Sequence, residues 1–282
     1  MNAHSIESAY QHCEQLARSH YENFPVASWL LPRALRRPIA VIYAFARNAD
    51  DFADEGQYNE EQRLALLNGY SEKLQQLERG EEADDPVFIA LAEVVAQHNL
   101  PLQLFHDLLS AFAQDVTKKR YADFSELLDY CRRSANPVGR LLLHLSDNNS
   151  EENLQLSDKV CSALQLINFY QDLAQDFNEN ERIYIPEDEM RRHGVGSEHF
   201  AINSRETEMV ELFRFQVSRA REMMQQGAPL GEKLRGRFGL EIRLIIQGGF
   251  AIIERLEQCA EDPFTRPRLG KNDWLRAVWR AF

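Results

Sequence analysis

The residues of this chain best suited to chemistry are carboxylates gathered in two tight clusters. The first is Asp50-Asp51-Phe52-Ala53-Asp54 and the second Asp172-Leu173-Ala174-Gln175-Asp176. Each places aspartates at i and i+4 within a segment of helical periodicity. Both carboxylates of a pair then stand on one helix face, with Cβ atoms roughly 5–6 Å apart. Like charges that close destabilise a bare helix, and a cation between them offsets the repulsion. An all-oxygen donor set suits a hard cation, and Mg²⁺ commonly takes one or two carboxylates together with substrate phosphates. Two such helices facing each other would form a Mg²⁺–diphosphate clamp. Asp50, Asp54, Asp172 and Asp176 are therefore the candidate ligands, and Asn168 adds a neutral oxygen at the same spacing.

The surroundings of these acids bear on that reading. Tyr43, Arg47, Asp50 and Asp54 form one helical stripe, flanked by Ala46, Ala49 and Ala53, with Ile42, Phe45 and Phe52 around the rest of the wheel. Leu164, Asn168, Asp172 and Asp176 form the second stripe, with Gln165 beside it amid Val160, Leu166, Ile167, Phe169, Tyr170 and Leu173. Unpaired carboxylates are costly to bury, so acids on such apolar helices need water, a cationic partner or a metal. A single acidic run is ordinarily a solvated face. Two copies in apolar helices, one preceded by Arg47, favour the metal. Asp51 and Glu55 lie off the stripe, toward solvent or a salt bridge. Glu179 and Glu181 either cap the end of the second helix or close over a ligand.

The elements that must position these residues are helices. Helical periodicity covers residues 5–20, 35–54, 60–78, 86–98, 101–115, 124–146, 155–178, 206–226, 231–261 and 272–281. Polar interruptions fall at 80–86 and 146–150, and residues 185–199, with Gly194 and Gly196, form the longest expected loop. Asn136-Pro137 predicts a kink or restart inside 124–146. Gly248-Gly249, in a helix interior, admits two readings: close helix–helix packing, or room for a long apolar ligand. No alternating strand pattern or repeat period is present. The expectation is an all-α fold in one domain over residues 1–282.

Bulk properties narrow the function classes. The net charge of −12 and the pI near 5.2 argue against a nucleic-acid partner, which calls for a basic footprint. A bound metal can still reverse the sign locally for an anionic substrate. Cys13, Cys131, Cys161 and Cys259 have no Cys-x-x-Cys spacing, so neither a zinc site nor a disulfide framework is expected. Residues 1–7 lack the basic and apolar regions of a signal peptide, and no run nears the ~20 apolar residues of a membrane span. A reduced, cytoplasmic protein is expected. The amphipathic segment Trp274 to Phe282 either packs on the domain or rests peripherally on the inner membrane face.

Taken together, these motifs resemble the squalene/phytoene synthase family of trans-head-to-head prenyl synthases. The likeness runs from about His20 to Arg268. It is carried by Tyr43-Ala44-Phe45-Ala46-Arg47-x-x-Asp50-Asp51-x-x-Asp54, by Gln165-x-x-Asn168-x-x-x-Asp172-x-x-x-Asp176 and by Asn180-Glu181-Arg182-Ile183-Tyr184. The resemblance implies an isoprenoid-synthase helical bundle around a central apolar cavity, with both Asp motifs on opposing walls holding Mg²⁺ and diphosphate. Asn23-Phe24-Pro25-Val26-Ala27-Ser28 with Leu30-Leu31-Pro32, and Ser134-Ala135-Asn136-Pro137-Val138-Gly139, look most like the bacterial hydroxysqualene synthase branch, which serves squalene and hopanoid supply. That branch implies ionisation of presqualene diphosphate, cation rearrangement and capture by water to give hydroxysqualene. Condensing relatives usually carry Arg before the first Asp of the second motif and a basic residue two positions after the early His. This chain has Gln171 and Glu22, which fits handling of a single diphosphate.

By the same resemblance Arg47, Arg266 and His20 contact diphosphate. Arg47 can equally pair with Asp50 or Asp51, and His20 can be an ordinary helix-terminal histidine. Phe24, Val26, Tyr43, Val138, Gly139, Leu142, Leu164, Gln165 and Phe250 are implied as pocket lining, each of which could also be plain core. Tyr43 and Gln165 both have polar tips able to position the attacking water. The competing expectations are a synthase condensing two farnesyl diphosphates to presqualene diphosphate or squalene, and a non-catalytic assembly protein of the same fold. Functional coupling to other squalene-pathway enzymes also follows from the resemblance.

Overall fold

Local capping chemistry delimits the helices. Asn59 and Gln62 exchange reciprocal bonds of 2.9 and 3.0 Å at the start of one helix, satisfying two backbone donors that have no partner within it. Asp85, followed by Pro86, caps the next through the Val87 N–H at 2.9 Å, and Asp123 caps another through the Glu126 N–H. The computed structural model describes residues 3–19, 31–54 and 56–281, and every regular element within them is a helix. In order these are α1 (Ala3–Ser19), α2 (Arg33–Asp54), α3 (Glu60–Glu78), α4 (Pro86–His98), α5 (Gln103–Thr117), α6 (Phe124–Ser134), α7 (Asn136–Leu145) and α8 (Glu151–Gln171). There follow α9 (Leu173–Asn180), α10 (Glu187–Arg192), α11 (Ser197–Ala201), α12 (Thr207–Gly227), α13 (Leu230–Lys233), α14 (Gly236–Gln258) and α15 (Lys271–Ala281).

The all-α expectation holds, and α3 and α4 match their predicted ranges. The expected helix 124–146 divides at Ala135, immediately before Asn136-Pro137. Beyond shifts of one or two residues at several helix ends, three expected segments are divided differently. The helix expected over 155–178 starts at Glu151 and breaks at Asp172. The one over 231–261 resolves into α13 and α14, joined at Gly236, whose φ of +66° suits a residue without Cβ. The expected loop 185–199 contains α10 and α11. These have six and five residues, too short to show helical periodicity.

Packing groups the chain into two units, Met1–Thr117 with Pro137–Ser150, and Lys118–Asn136 with Glu151–Phe282. In the first, α2 packs against α1, α3, α4 and α5. Its buried Phe45 meets Tyr70, Phe88 and Phe105 at centroid distances of 5.2, 5.8 and 5.1 Å. Each such pair adds about 0.5–1.5 kcal/mol beyond area burial. With Val41, Ala44 and Ala49 also buried, α2 is locked in rotation, and its Tyr43–Asp54 stripe lies on the less buried side.

In the second unit α8 packs against α12, α14, α6 and α13. Gly227 lets α12 approach α8: a Cβ there would stand 2.8 Å from the Val160 backbone nitrogen. A buried polar chain crosses this interface. The Tyr170 hydroxyl donates to Gln216 Oε1 at 3.0 Å, and Gln216 Nε2 donates to Glu189 Oε2 at 2.7 Å. Arg219 donates twice to Glu189, at 2.5 and 2.9 Å, while lying 3.5 Å over the Phe124 ring. Buried charge is tolerated when paired and hydrogen-bonded in this way. Helix α15 packs on α14, burying Ala277 and Ala281, and Arg255 clasps Asp273 at 2.8 and 2.9 Å. Trp279 on α15 stays 81% exposed.

Candidate active site

The first acidic motif stands on an unbroken helix, so Tyr43, Arg47, Asp50 and Asp54 keep their common face. Arg47 Nε lies 2.7 Å from Asp51 Oδ1, and its Nη1 lies 3.4 Å from Asp50 Oδ2. The salt-bridge alternative for Arg47 is thus realised with both acids, and Asp51 has the ion-pair partner expected of an off-stripe residue. Tyr43 is half-buried, and burial pushes its hydroxyl above the ordinary tyrosine range; Arg47 opposes the shift and Asp51 and Asp50 add to it. It therefore remains a neutral donor and acceptor. Asp54 is exposed at the end of α2. In the same unit Val138 is half-buried, and Gly139 and Leu142 are buried.

The second motif spans a helix break. Asp172 leaves helical geometry, at φ −105° and ψ 16°. Its N–H still donates to the Asn168 carbonyl at 3.0 Å, and the Asp176 N–H donates to the Asp172 carbonyl at 2.8 Å. The four-residue bonding step therefore survives, and Asn168, Asp172 and Asp176 remain successive turns of one stripe. Asn168 is exposed, while Asp172 and Asp176 are half-buried. Burial pushes the Asp172 carboxyl above the usual carboxylate range; Arg266 opposes this, Glu179 adds to it and Arg268 opposes it. Arg266 Nε stands 2.5 Å from Asp172 Oδ1, and its Nη2 donates to Oδ2 at 3.1 Å. Two of the predicted site residues, 94 positions apart, are thus brought together.

Beyond the motif, Glu181 ends α9 in the left-handed region, and its N–H and that of Arg182 return to Phe177 and Asp176. The helix end is thus closed by backbone groups, while the Glu181 carboxylate lies 3.8 Å from Lys119 Nζ. The following segment is anchored by the Ile183 N–H on the Lys119 carbonyl and the Glu187 N–H on the Tyr121 carbonyl. Tyr184 stacks on Phe169 at 3.6 Å, and the buried Arg182 donates to the Tyr184 hydroxyl at 3.2 Å. Leu164 meets α14 at Gly249, where a Cβ would lie 3.0 Å from Leu164 Cδ2. Gln165 and Phe250 are half-buried. His20 and Phe24, with Glu22 and Val26, lie outside the described residues.

Sequence reasoning missed the Gln171 side chain, whose Nε2 donates to the Pro267 carbonyl at 2.7 Å. It also missed the Glu189–Arg219–Gln216 chain. Neither has a local signal, because the partners are far apart in sequence. Among the described residues no three His, Cys, Asp or Glu side chains gather into a metal-holding group. The carboxylates come in pairs on helical faces, and the partly desolvated Asp172 already attracts a cation. This oxygen-donor chemistry fits a hard cation that completes its shell with phosphate.

A helical fold bearing two acid stripes, each with its own guanidinium, defines a class: the all-α isoprenoid synthases. Within that class the chain matches the squalene/phytoene synthase family over residues 17–276 and belongs to it. It is 34% identical over 245 residues to the hydroxysqualene synthase of Rhodopseudomonas palustris, covering 86% of this chain and 82% of that one. It is 31% identical over 228 residues to the phytoene synthase of Mycobacterium tuberculosis, covering 80% and 74%. The crystal structure of squalene synthase HpnC from Alicyclobacillus acidocaldarius superposes with a TM-score of 0.85 at 34% identity, over 92% of this chain and 97% of that one. The chain is accordingly a prenyltransferase-like enzyme. No helix among the described residues is long and apolar enough to cross a membrane.

Proposed function

We propose that this chain is a hydroxysqualene synthase, converting presqualene diphosphate and water into hydroxysqualene and pyrophosphate. The observation that carries the reading is the pairing of each acid stripe with an arginine, Arg47 at Asp50 and Asp51 and Arg266 at Asp172. Carboxylates that bind a cation, beside guanidiniums that bind phosphate oxygens bidentately, suit a metal-bound diphosphate. Asp50, Asp54, Asn168, Asp172 and Asp176 would hold Mg²⁺. When bound, Mg²⁺ supplies Lewis-acid stabilisation of the charge that develops on the departing pyrophosphate. In this reading each motif contributes carboxylates to holding metal-bound diphosphate.

The chain's own residues then have distinct tasks. Arg47 and Arg266 stabilise the leaving group as the C–O bond breaks and its electron pair departs with pyrophosphate. Leu164 and Phe250, with Val138 and Gly139, offer apolar surface that keeps the carbocation from adventitious water. A single water adds its oxygen to the rearranged cation and loses a proton. The neutral Tyr43 hydroxyl and the Gln165 amide are the groups able to orient it. Gln171 supports a single-diphosphate substrate, because its side chain is spent on the Pro267 carbonyl and carries no charge.

The likeness to a phytoene synthase favours a second reading, condensation of two prenyl diphosphates such as farnesyl diphosphate. Purified protein should therefore be given presqualene diphosphate, Mg²⁺ and ¹⁸O-labelled water, and separately farnesyl diphosphate with Mg²⁺. A labelled C30 alcohol from the first and no product from the second is the expected result. Turnover of farnesyl diphosphate alone would sink the hydroxysqualene assignment in favour of the condensing one.

A further inference from the structure

Asp172 is already engaged by a cation of the chain itself. Arg266 Nε faces Oδ1 at 2.5 Å while Nη2 donates to Oδ2 at 3.1 Å, so one guanidinium covers both carboxylate oxygens. The neighbouring residues repeat the contact: Gln171, just before Asp172, donates at 2.7 Å to the carbonyl of Pro267, just after Arg266. Two consecutive residues at the α8–α9 break thus fasten two consecutive residues of the segment between α14 and α15. That segment has further anchors in the Arg205–Asp262 ion pair at 2.6 Å and the Phe200–Phe264 edge contact at 5.7 Å. Its backbone is held while the Arg266 side chain remains about half exposed.

A guanidinium fork set across both oxygens of a carboxylate takes up part of their lone-pair capacity and opposes its own positive charge to an arriving metal ion, so the two cations compete for Asp172. We infer that Arg266 is a placeholder cation, displaced from Asp172 when metal-bound pyrophosphate arrives, and that Gln171 is a positioning residue that keeps the released guanidinium within reach of the phosphate oxygens. The inference rests on the proposed function, since it takes Asp172 as a metal ligand. Its physical content is a coupling between two ligands. Metal alone must compete with Arg266 and binds weakly. Metal with pyrophosphate gives the displaced arginine a new partner and binds cooperatively.

The test uses the full chain, with Mn²⁺ as an EPR-visible stand-in for Mg²⁺, titrated with and without inorganic pyrophosphate. Arg266→Gln should bind Mn²⁺ alone about three- to tenfold more tightly than the wild type, the scale of a partly exposed ion pair. It should also lose most of the gain in Mn²⁺ affinity that pyrophosphate confers. Gln171→Ala should move both quantities in the same direction by a smaller factor, with an unchanged helical circular-dichroism signal in both variants. Arg266→Lys, which keeps the charge but not the two-pronged fork, should fall between Arg266→Gln and the wild type. Equal or weaker Mn²⁺ affinity in Arg266→Gln, with normal Mn²⁺–pyrophosphate binding by the wild type, overturns the exchange and leaves the proposed function standing. Absence of Mn²⁺ binding by the wild type even with pyrophosphate overturns both.

Discussion

Gly248 and Gly249 are adjacent in the interior of α14, yet the structure gives them opposite surroundings. A Cβ on Gly249 would stand 2.6 Å from Met224 Cε and 3.0 Å from Leu164 Cδ2, whereas one on Gly248 would meet no described atom within 4 Å. Glycine in a helix interior costs about 0.5–1 kcal/mol relative to alanine. Gly248→Ala removes that cost without a clash and should stabilise by the full amount. At about 2–4 °C per kcal/mol, calorimetry should show a rise in Tm of about 1–4 °C. Gly249→Ala gains the same helix term but loses about 1–3 kcal/mol to overpacking. Because the flexible end of Met224 can yield, the lower part of that range, about 1–2 kcal/mol, applies, and the net change should run from zero to a loss of about 1.5 kcal/mol. A destabilising Gly248→Ala, or a Gly249→Ala as stabilising as its neighbour, would refute this account of the pair. The open side of Gly248 then permits a functional test. Gly248→Phe should fold normally but lose at least about tenfold in turnover if an isoprenoid tail uses that space, and unchanged turnover would show that the substrate does not enter it.

Asp50→Ala and Asp172→Ala should each lower turnover by at least about 100-fold while leaving the helical circular-dichroism signal intact; wild-type-like turnover in both would remove the acids from the site. Glu189→Ala should cost about 3–5 kcal/mol in urea unfolding, because it strands the buried Arg219 charge, and a loss under about 1 kcal/mol would show that the network adds little.

Much of this molecule was legible from residues three and four apart. Helix periodicity, the restart at Asn136-Pro137 and both acid stripes depend on near neighbours in the chain. The Arg47 contacts to Asp50 and Asp51 are of the same kind, since an (i, i+3) and an (i, i+4) pair meet wherever a helix forms. The motif types and their order, likewise a property of the chain alone, carried the family resemblance.

Tertiary structure decided what those local rules leave open. The break at Asp172 was invisible because the four-residue hydrogen-bond step persists through it. The clasp of Gln171 and Asp172 on Pro267 and Arg266 joins residues more than ninety positions apart. The different surroundings of Gly248 and Gly249 come from Met224 and Leu164 on other helices. Such contacts depend on which helix faces pack together, and a periodic pattern names the buried face without naming the partner across it. Local geometry is fixed by bonds along the backbone, whereas long-range pairing is settled only when whole faces compete for burial.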